Sequence, residues 1–157
     1  MSFAVWLWLA LAAYAMHMLE EYELDWRNWA RSVVGLPVEW TDFYVTNAIV
    51  VVLGIAAAQI AAQSPVVSLA FPALMLINAT FFHVLPVLRT RGRNSPGVFT
   101  AVVLFYPIAA ACYWRASQDG LLDARTVIGS LVIGALLMAF PVVLLKIKSR
   151  PYFRQDR

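Results

Sequence analysis

Five long apolar runs, separated by short polar stretches, dominate the pattern of this chain. Each run is close to the roughly 20 residues that a helix needs to cross the hydrocarbon core of a bilayer. The runs are continuous instead of alternating, and an open sheet would leave backbone groups unpaired in lipid, so helices are favoured over strands. The predicted spans are residues 3–19, 43–62, 66–88, 98–115 and 126–145. The pattern predicts an all-α, polytopic integral membrane bundle, formed as one domain over residues 1–157.

The connections between the spans predict two further features. The first connection contains Trp26-Arg27-Asn28-Trp29-Ala30-Arg31, in which aromatic side chains stand beside charges, as they do in helices that lie along a membrane surface. We expect an interfacial helix there. The first span runs directly into acidic residues, so its helix can continue past Glu21. Residues 146–157 are expected to form a flexible tail.

The second span contains a stripe of small residues. Gly54, Ala58 and Ala62 recur at four-residue spacing and therefore share one face of a helix. Small residues allow the backbones of two membrane helices to approach closely. We expect this stripe to be structural, and a homo-oligomer formed through it is an extension of the same prediction.

Composition and charge agree with a membrane protein and indicate its partners. The chain is 62% hydrophobic and 13% charged, whereas a soluble domain has about 25% charged residues. The basic residues adjoin apolar segments, so lipid headgroups are expected partners and nucleic acid is not. Cys112 is the only cysteine, which excludes a disulfide framework and a cysteine-based zinc pattern. No basic segment precedes the first span, so we interpret it as a retained helix.

The distribution of Lys and Arg predicts an orientation. Five spans bring the first long loop, the 89–97 loop and the C-terminal tail to one face, which has ten of the twelve basic residues. Arg115 and Arg125 are on the other face. Positive residues near span ends are retained in the cytoplasm. The N-terminus is therefore predicted outside and the C-terminus inside, and the short loops favour a bacterial inner membrane.

A polar cluster is predicted near the cytoplasmic end. His17, Glu20 and Glu21 are spaced i, i+3 and i+4, so they lie within about one third of a helix circumference. At about 1.5 Å per residue, Glu20 lies roughly 25 Å along the first span and His83 roughly 26 Å along the third. Both helices run in the same direction, so these side chains are expected to meet.

Several other polar residues are near this predicted cluster. Asn78 is a candidate, although it lies about 140° from His83 on an ideal helix, unless Pro86 distorts the segment. Its amide could equally hydrogen-bond across helices. Tyr14 lies on the same stripe as His17 and could support it. Two more polar residues, Asn47 and Thr100, are interpreted as structural.

The segment His17-Met18-Leu19-Glu20-Glu21 resembles the motif of the HXXEE-domain membrane proteins, a family of uncharacterised function. It stands at the end of a first span. The later segments Asn78-Ala79-Thr80-Phe81-Phe82-His83 and Pro96-Gly97-Val98-Phe99-Thr100 are also similar to the arrangement in that family. The resemblance would cover most of the chain. It implies which residues matter, and it implies no reaction.

Three explanations of the cluster remain open at this point. His17, Glu20, Glu21 and His83 are sufficient ligands for a divalent zinc, iron or manganese ion, although the Glu-x-x-His order of carboxylate metal bundles is reversed. Without a metal, a glutamate could be the general base and a histidine the general acid. In the structural alternative, the acidic groups end the helix at the interface and pair with Arg89 or Arg91.

The leading functional hypothesis is a membrane-embedded enzyme that acts on a lipophilic substrate, such as a lipid, quinone or isoprenoid, at the cytoplasmic leaflet. Its candidate catalytic residues are His17, Glu20, Glu21, Asn78 and His83. A small transporter or proton-linked carrier is the first alternative, disfavoured by few spans, no inverted repeat and no evident polar trail to the outer face. The second is a non-catalytic membrane interaction protein that binds a partner helix through the small-residue stripe.

Overall fold

The computed structural model describes residues 1–148 and 152, and no strand occurs in this part of the chain. Six helical elements follow one another: α1 (Phe3–Glu23), α2 (Trp26–Trp29), α3 (Trp40–Gln59), α4 (Pro65–Arg89), α5 (Val98–Gln118) and α6 (Ala124–Lys148). All except α2 are long and apolar enough to cross a membrane. The predicted all-α fold with five spans is confirmed. Helices α1, α4 and α6 all terminate on the same side of the bundle, which is called the basic end below.

Helix α1 continues one turn beyond the predicted span and ends at Glu23, as the run into acidic residues allowed. The first loop contains α2, which is followed by a π-helical turn at Ala30–Val34. Arg27 and Arg31 both pair with Glu39 at the beginning of α3. The hydrogen bond from Arg27, assisted by the charges of both guanidinium groups, holds the pKa of Glu39 below its ordinary value. These ion pairs attach the first loop to α3.

Helix α6 extends to Lys148, so residues 146–148 are helical and not part of a flexible tail. Two contacts explain the difference. Leu145 is buried beside Trp29 of α2, and Lys148 pairs with Asp42 of α3. The last turn of α6 therefore has partners on two other elements. The rest of the predicted tail lies outside the described residues, apart from Tyr152.

Helix α4 is the most buried of the five spans and packs along α6. Gly134 of α6 allows this approach, because a Cβ atom there would lie 2.8 Å from both the Ala73 Cβ and the Leu74 backbone nitrogen. Helix α6 is otherwise mostly exposed on its outer side. The α4 and α6 pair therefore depends on close backbone contact at a glycine, as is common in membrane bundles.

The small-residue stripe of α3 is largely used inside the chain. A Cβ atom on Gly54 would lie 2.8 Å from Leu11 Cδ1 and 2.9 Å from Phe71 Cζ. Ala58 is also buried, whereas Ala62 is exposed. The stripe is structural, as predicted. Ala62 is the one exposed position of the three, so self-association through the stripe would have to use that position.

Two π-helical turns lie side by side at the basic end: Ala79–Val84 in α4 and Ala101–Phe105 in α5. Each is followed closely by a proline, Pro86 or Pro107. A proline ring crowds the carbonyl group four residues earlier, and that carbonyl lies inside the widened turn in both helices. In α4 this carbonyl belongs to Phe82, and it accepts a hydrogen bond from Ser95 Oγ at 3.4 Å. Pro86 thus does distort the segment that contains His83.

Candidate metal centre

Three of the predicted site residues form one cluster at the basic end. Glu21 Oε1 lies 3.5 Å from His17 Nε2 and 3.5 Å from His83 Nε2. One potential ligand atom from each of the three residues lies within 4.8 Å of the other two. The exposed fractions are 1% for His17, 5% for Glu21 and 0% for His83. The predicted meeting of α1 and α4 at equal depth is therefore observed, and we call these residues the His/Glu cluster.

In each of the two imidazole rings, the two nitrogens have different surroundings. His17 Nδ1 lies 2.8 Å from Thr100 Oγ1, and His83 Nδ1 lies 3.2 Å from Ser95 Oγ. Both Nε2 atoms are buried and have no hydrogen-bond partner within the described residues. Burying a polar atom without a partner costs free energy. Both unpartnered atoms face the same Glu21 oxygen.

Glu20 does not join the His/Glu cluster. Its Oε1 accepts hydrogen bonds from the backbone N–H groups of Gly97 and Phe99, each at 3.1 Å. Its Oε2 accepts from the Thr100 N–H at 2.7 Å and from Thr100 Oγ1 at 2.5 Å. Glu20 thus caps the beginning of α5 from a neighbouring helix.

Gly97 lies directly on the histidine rings. A Cβ atom there would lie 2.6 Å from His83 Cε1 and 2.7 Å from His17 Cε1, and the backbone φ of +94° is in the left-handed region. Only glycine meets both requirements without strain. Neighbouring Ser95 is fully buried, so the segment 95–97 closes the cluster at the basic end. Sequence reasoning did not select Ser95 and Gly97 as part of the site, and it interpreted Thr100 as structural.

Aromatic rings enclose the cluster on its other side. The ring centroid of Phe105, in the π-helical turn of α5, lies 4.3 Å from that of His17. Tyr14 stacks on Phe105 with centroids 5.9 Å apart. Its hydroxyl group donates to Asn47 Oδ1 at 2.5 Å. Tyr14 therefore supports the site through ring packing, and its polar group joins α1 to α3.

Asn78 lies away from the cluster. Its amide nitrogen is 3.9 Å from Met138 Sδ on α6, and its carbonyl oxygen is buried without a hydrogen-bond partner among the described residues. The π-helical turn between Asn78 and His83 does not bring the two side chains together. The sequence-based inclusion of Asn78 in the site is not supported by this position, and the alternative of an interhelical contact fits it.

The surroundings of the His/Glu cluster test whether its acidic groups pair with arginine and whether a surface groove leads to it. Within the described residues, neither Glu20 nor Glu21 pairs with an arginine. Two apolar grooves lie on the helix surface, one of about 570 Å³ between α3 and α6 and one of about 430 Å³ between α1 and α3. Neither groove is lined by a member of the His/Glu cluster. The cluster is thus closed to both.

These observations define a class: a helical protein with five spans long and apolar enough to cross a membrane, and a buried cluster of two histidines and one glutamate near one end. The chain belongs to the HXXEE family, described as a protein of unknown function with HXXEE motif, whose sequence profile matches residues 8–112. That match includes the whole cluster and covers about two thirds of the chain, and it confirms the resemblance. No curated protein and no solved structure matches the chain.

Proposed function

We propose that this protein is a membrane-embedded metalloenzyme in which His17, Glu21 and His83 bind one divalent transition metal. The observation that carries the proposal is the pair of buried, unpartnered Nε2 atoms, each 3.5 Å from the same Glu21 oxygen. A hydrogen bond cannot satisfy either contact well at this distance. A metal ion between the three atoms would satisfy all of them together.

The spacing supports a metal of the first transition row. Zinc binds histidine nitrogen and carboxylate oxygen at about 2.0–2.2 Å, so adjacent ligands of a tetrahedral ion lie about 3.4 Å apart. The two Nε2–Oε1 separations of 3.5 Å agree with that value. Imidazole and carboxylate ligands also suit iron and manganese. Zinc, iron and manganese are therefore the candidate ions.

The number of ligands favours catalysis over a purely structural role. Structural zinc sites are closed by four protein ligands, whereas catalytic sites have three and keep one position for water or substrate. The His/Glu cluster supplies three. A metal held in this way activates a water molecule or polarises a carbonyl or phosphoryl oxygen. The chemistry we propose is thus hydrolytic or electrophilic, with Glu21 and the histidines as ligands.

The position of the cluster supports a lipophilic substrate. It lies inside the bundle near the basic end, at a depth that lipid headgroups and the ends of quinone or isoprenoid chains can reach. The excess of basic residues at this end favours the cytoplasmic leaflet of a bacterial inner membrane. The segment 95–97 covers the cluster, so a substrate that arrives from the basic end must displace this segment.

Metal content tests the first step of this proposal. Detergent-purified wild type and the variants His17→Ala, His83→Ala and Glu21→Gln are analysed by mass spectrometry after loading with zinc, manganese or anaerobic ferrous iron. Asn78→Ala is the matched control, because it alters a polar side chain of α4 outside the cluster. We expect about one metal per chain in wild type and control, and loss in the other variants. A folded wild type without metal would overturn the proposal in favour of metal-free acid–base chemistry.

Activity tests the second step. Wild type in nanodiscs is incubated with phospholipid, quinone and isoprenoid phosphate pools, and products are followed by mass spectrometry. We expect one lipid class to be converted by wild type and by Asn78→Ala, and not by Glu21→Gln. Equal conversion by Glu21→Gln would refute the catalytic role while leaving metal binding to the first experiment.

A proton-linked carrier is the second candidate, and one observation favours it. Polar pairs extend beyond the cluster toward the other end of the bundle, although no polar trail was evident from the sequence. Thr80 lies 3.0 Å from the Tyr106 hydroxyl, and Tyr113 lies 2.8 Å from Ser130 Oγ. Proton flux in proteoliposomes that is lost in Tyr113→Phe would support this candidate, and no flux above protein-free vesicles would exclude it.

A further inference from the structure

We propose that Glu20 and Thr100 are positioning residues that hold His17 in its Nδ1–H tautomer, so that the lone pair of Nε2 faces the metal. The two neighbouring glutamates of the HXXEE motif would then have different roles, Glu21 as ligand and Glu20 as support. This inference rests on the proposed metal centre, because the Nδ1–H tautomer of His17 has this role only where a metal binds. The tautomer itself can be measured without metal.

The hydroxyl group of Thr100 determines which atom is the donor in the contact with His17. A hydroxyl group has one hydrogen to donate. Thr100 Oγ1 lies 2.5 Å from Glu20 Oε2 and 3.3 Å from the Gly97 carbonyl oxygen, and both of these are acceptors. The much shorter contact with Glu20 takes the hydrogen, so the 2.8 Å contact with His17 Nδ1 must have Nδ1–H as the donor. Thr100 thus accepts from His17.

Glu20 is an acceptor because of its surroundings. Three backbone N–H groups of the segment 97–100 point at its carboxylate, and together with Thr100 Oγ1 they make four donors. An ionised carboxylate offers about four lone-pair positions. They are all used, so Glu20 has none left for a metal in this geometry.

The beginning of α5 explains why the glutamate is needed. The residue before the helix is Gly97, which has no side chain and therefore cannot cap it. Glycine is required there by the contact with the histidine rings. Glu20 replaces the missing cap from α1, one turn after His17. One carboxylate thereby fixes the end of α5 and the orientation of Thr100.

The second histidine has a similar pair of contacts. Ser95 Oγ lies 3.4 Å from the Phe82 carbonyl oxygen, which can only accept, and 3.2 Å from His83 Nδ1. With the Ser95 hydroxyl hydrogen directed at Phe82, His83 Nδ1–H is the donor to Ser95. Both Nε2 atoms direct lone pairs at a carboxylate oxygen, and three such atoms repel one another unless a cation lies between them. Metals bind the neutral imidazole in this way, with the other ring N–H held by a hydrogen bond.

Histidine nitrogen NMR tests the tautomer directly. The chain has only two histidines, so 15N-histidine labelling gives one pair of ring signals for each. In metal-free wild type we expect both rings as Nδ1–H, which is the less common form of neutral histidine in water. Thr100→Val should return His17 to the Nε2–H form and leave His83 unchanged. Thr100→Ser keeps the hydroxyl group and should behave as wild type.

Metal affinity provides the second readout. Removing an outer hydrogen-bond partner of a metal ligand typically lowers affinity 10- to 100-fold. We expect losses in that range for Thr100→Val and Glu20→Gln, and near-wild-type affinity for Thr100→Ser. The visible absorption of the Co²⁺-loaded protein should keep its intensity in Glu20→Gln and change in Glu21→Gln, because only the latter removes a ligand.

Several outcomes would overturn the inference. One is an Nε2–H form of His17 in wild type, which needs no variant to fold. Another is an unchanged His17 tautomer in folded Thr100→Val. A third is a Co²⁺ spectrum of Glu20→Gln that matches Glu21→Gln, since Glu20 would then be a ligand. If no metal binds at all, the metal proposal fails, while the NMR result still decides whether Thr100 sets the tautomer.

Discussion

The most specific prediction concerns Gly97, where an added methyl group would overlap with both histidine rings. In Gly97→Ala the Cβ atom would begin 2.6 Å from His83 Cε1 and 2.7 Å from His17 Cε1. Ordinary carbon contacts are about 3.5 Å or longer, so each ring must move by nearly 1 Å. The rings cannot move freely, because the Nδ1 atoms of His83 and His17 are hydrogen-bonded to Ser95 and Thr100.

The expected magnitude has two parts. A left-handed backbone conformation at a residue with a side chain costs about 1–2 kcal/mol. Overpacking a well-filled interior costs about 1–3 kcal/mol more. Gly92→Ala is the matched control, because Gly92 has a φ of +95° and no atom of the described part of the chain lies within 4 Å of its added Cβ atom. The control has the backbone cost alone, and the difference between the two variants isolates the clash.

Each variant is measured in two assays: thermal unfolding in detergent without metal, and titration with zinc. We expect Gly97→Ala to lose about 2–5 kcal/mol of unfolding free energy and at least tenfold in metal affinity. Gly92→Ala should lose about 1–2 kcal/mol and keep its affinity. Equal stability losses with unchanged affinity in both variants would refute the contact between Gly97 and the histidines, and with it the geometry of the cluster.

Three further predictions concern the bundle. Gly54→Leu should destabilise the fold by about 1–3 kcal/mol through overpacking, whereas Ala62→Leu on an exposed position should change the unfolding free energy by less than about 0.5 kcal/mol; similar thermal shifts would contradict this. Tyr14→Phe should cost about 0.5–2 kcal/mol through its lost interhelical hydrogen bond and leave metal content unchanged, and a loss of metal would be contrary evidence. In bacterial cells, a membrane-impermeant thiol reagent should label Gln63→Cys in intact cells and Arg93→Cys only after permeabilisation, since the one native cysteine is buried; the reverse pattern would invert the predicted orientation.

Hydropathy and helix geometry are sufficient to predict much of this structure from the sequence. Apolar runs mark the five spans because lipid admits few charges, and the 1.5 Å rise per residue placed Glu20 and His83 at nearly equal depth. The observed helix boundaries differ from the predicted ones where polar side chains form contacts, as at Lys148, which pairs with Asp42. Such contacts link residues that are far apart in sequence, and periodicity does not report them.

The roles of the two glutamates could not be separated from the sequence. Positions i+3 and i+4 after His17 share one helix face, so spacing alone assigns Glu20 and Glu21 equally. Their difference depends on which neighbour each one meets, α5 for Glu20 and α4 for Glu21. One signal was available: Pro96-Gly97 marks a turn before a helix that has no capping side chain of its own. A helix start of this kind requires an acceptor from elsewhere.

The distance along the chain between the cluster's two helices has a consequence for chain entropy. His17 and His83 are separated by about 65 residues of chain, which include α2, α3 and most of α4. A metal bound by both would act as a removable cross-link that closes this segment into a loop. For a loop of that length, the loss of unfolded-state entropy corresponds to about 4 kcal/mol by the same relation that describes disulfides. A protein with no disulfide would thereby obtain a comparable constraint from one ion.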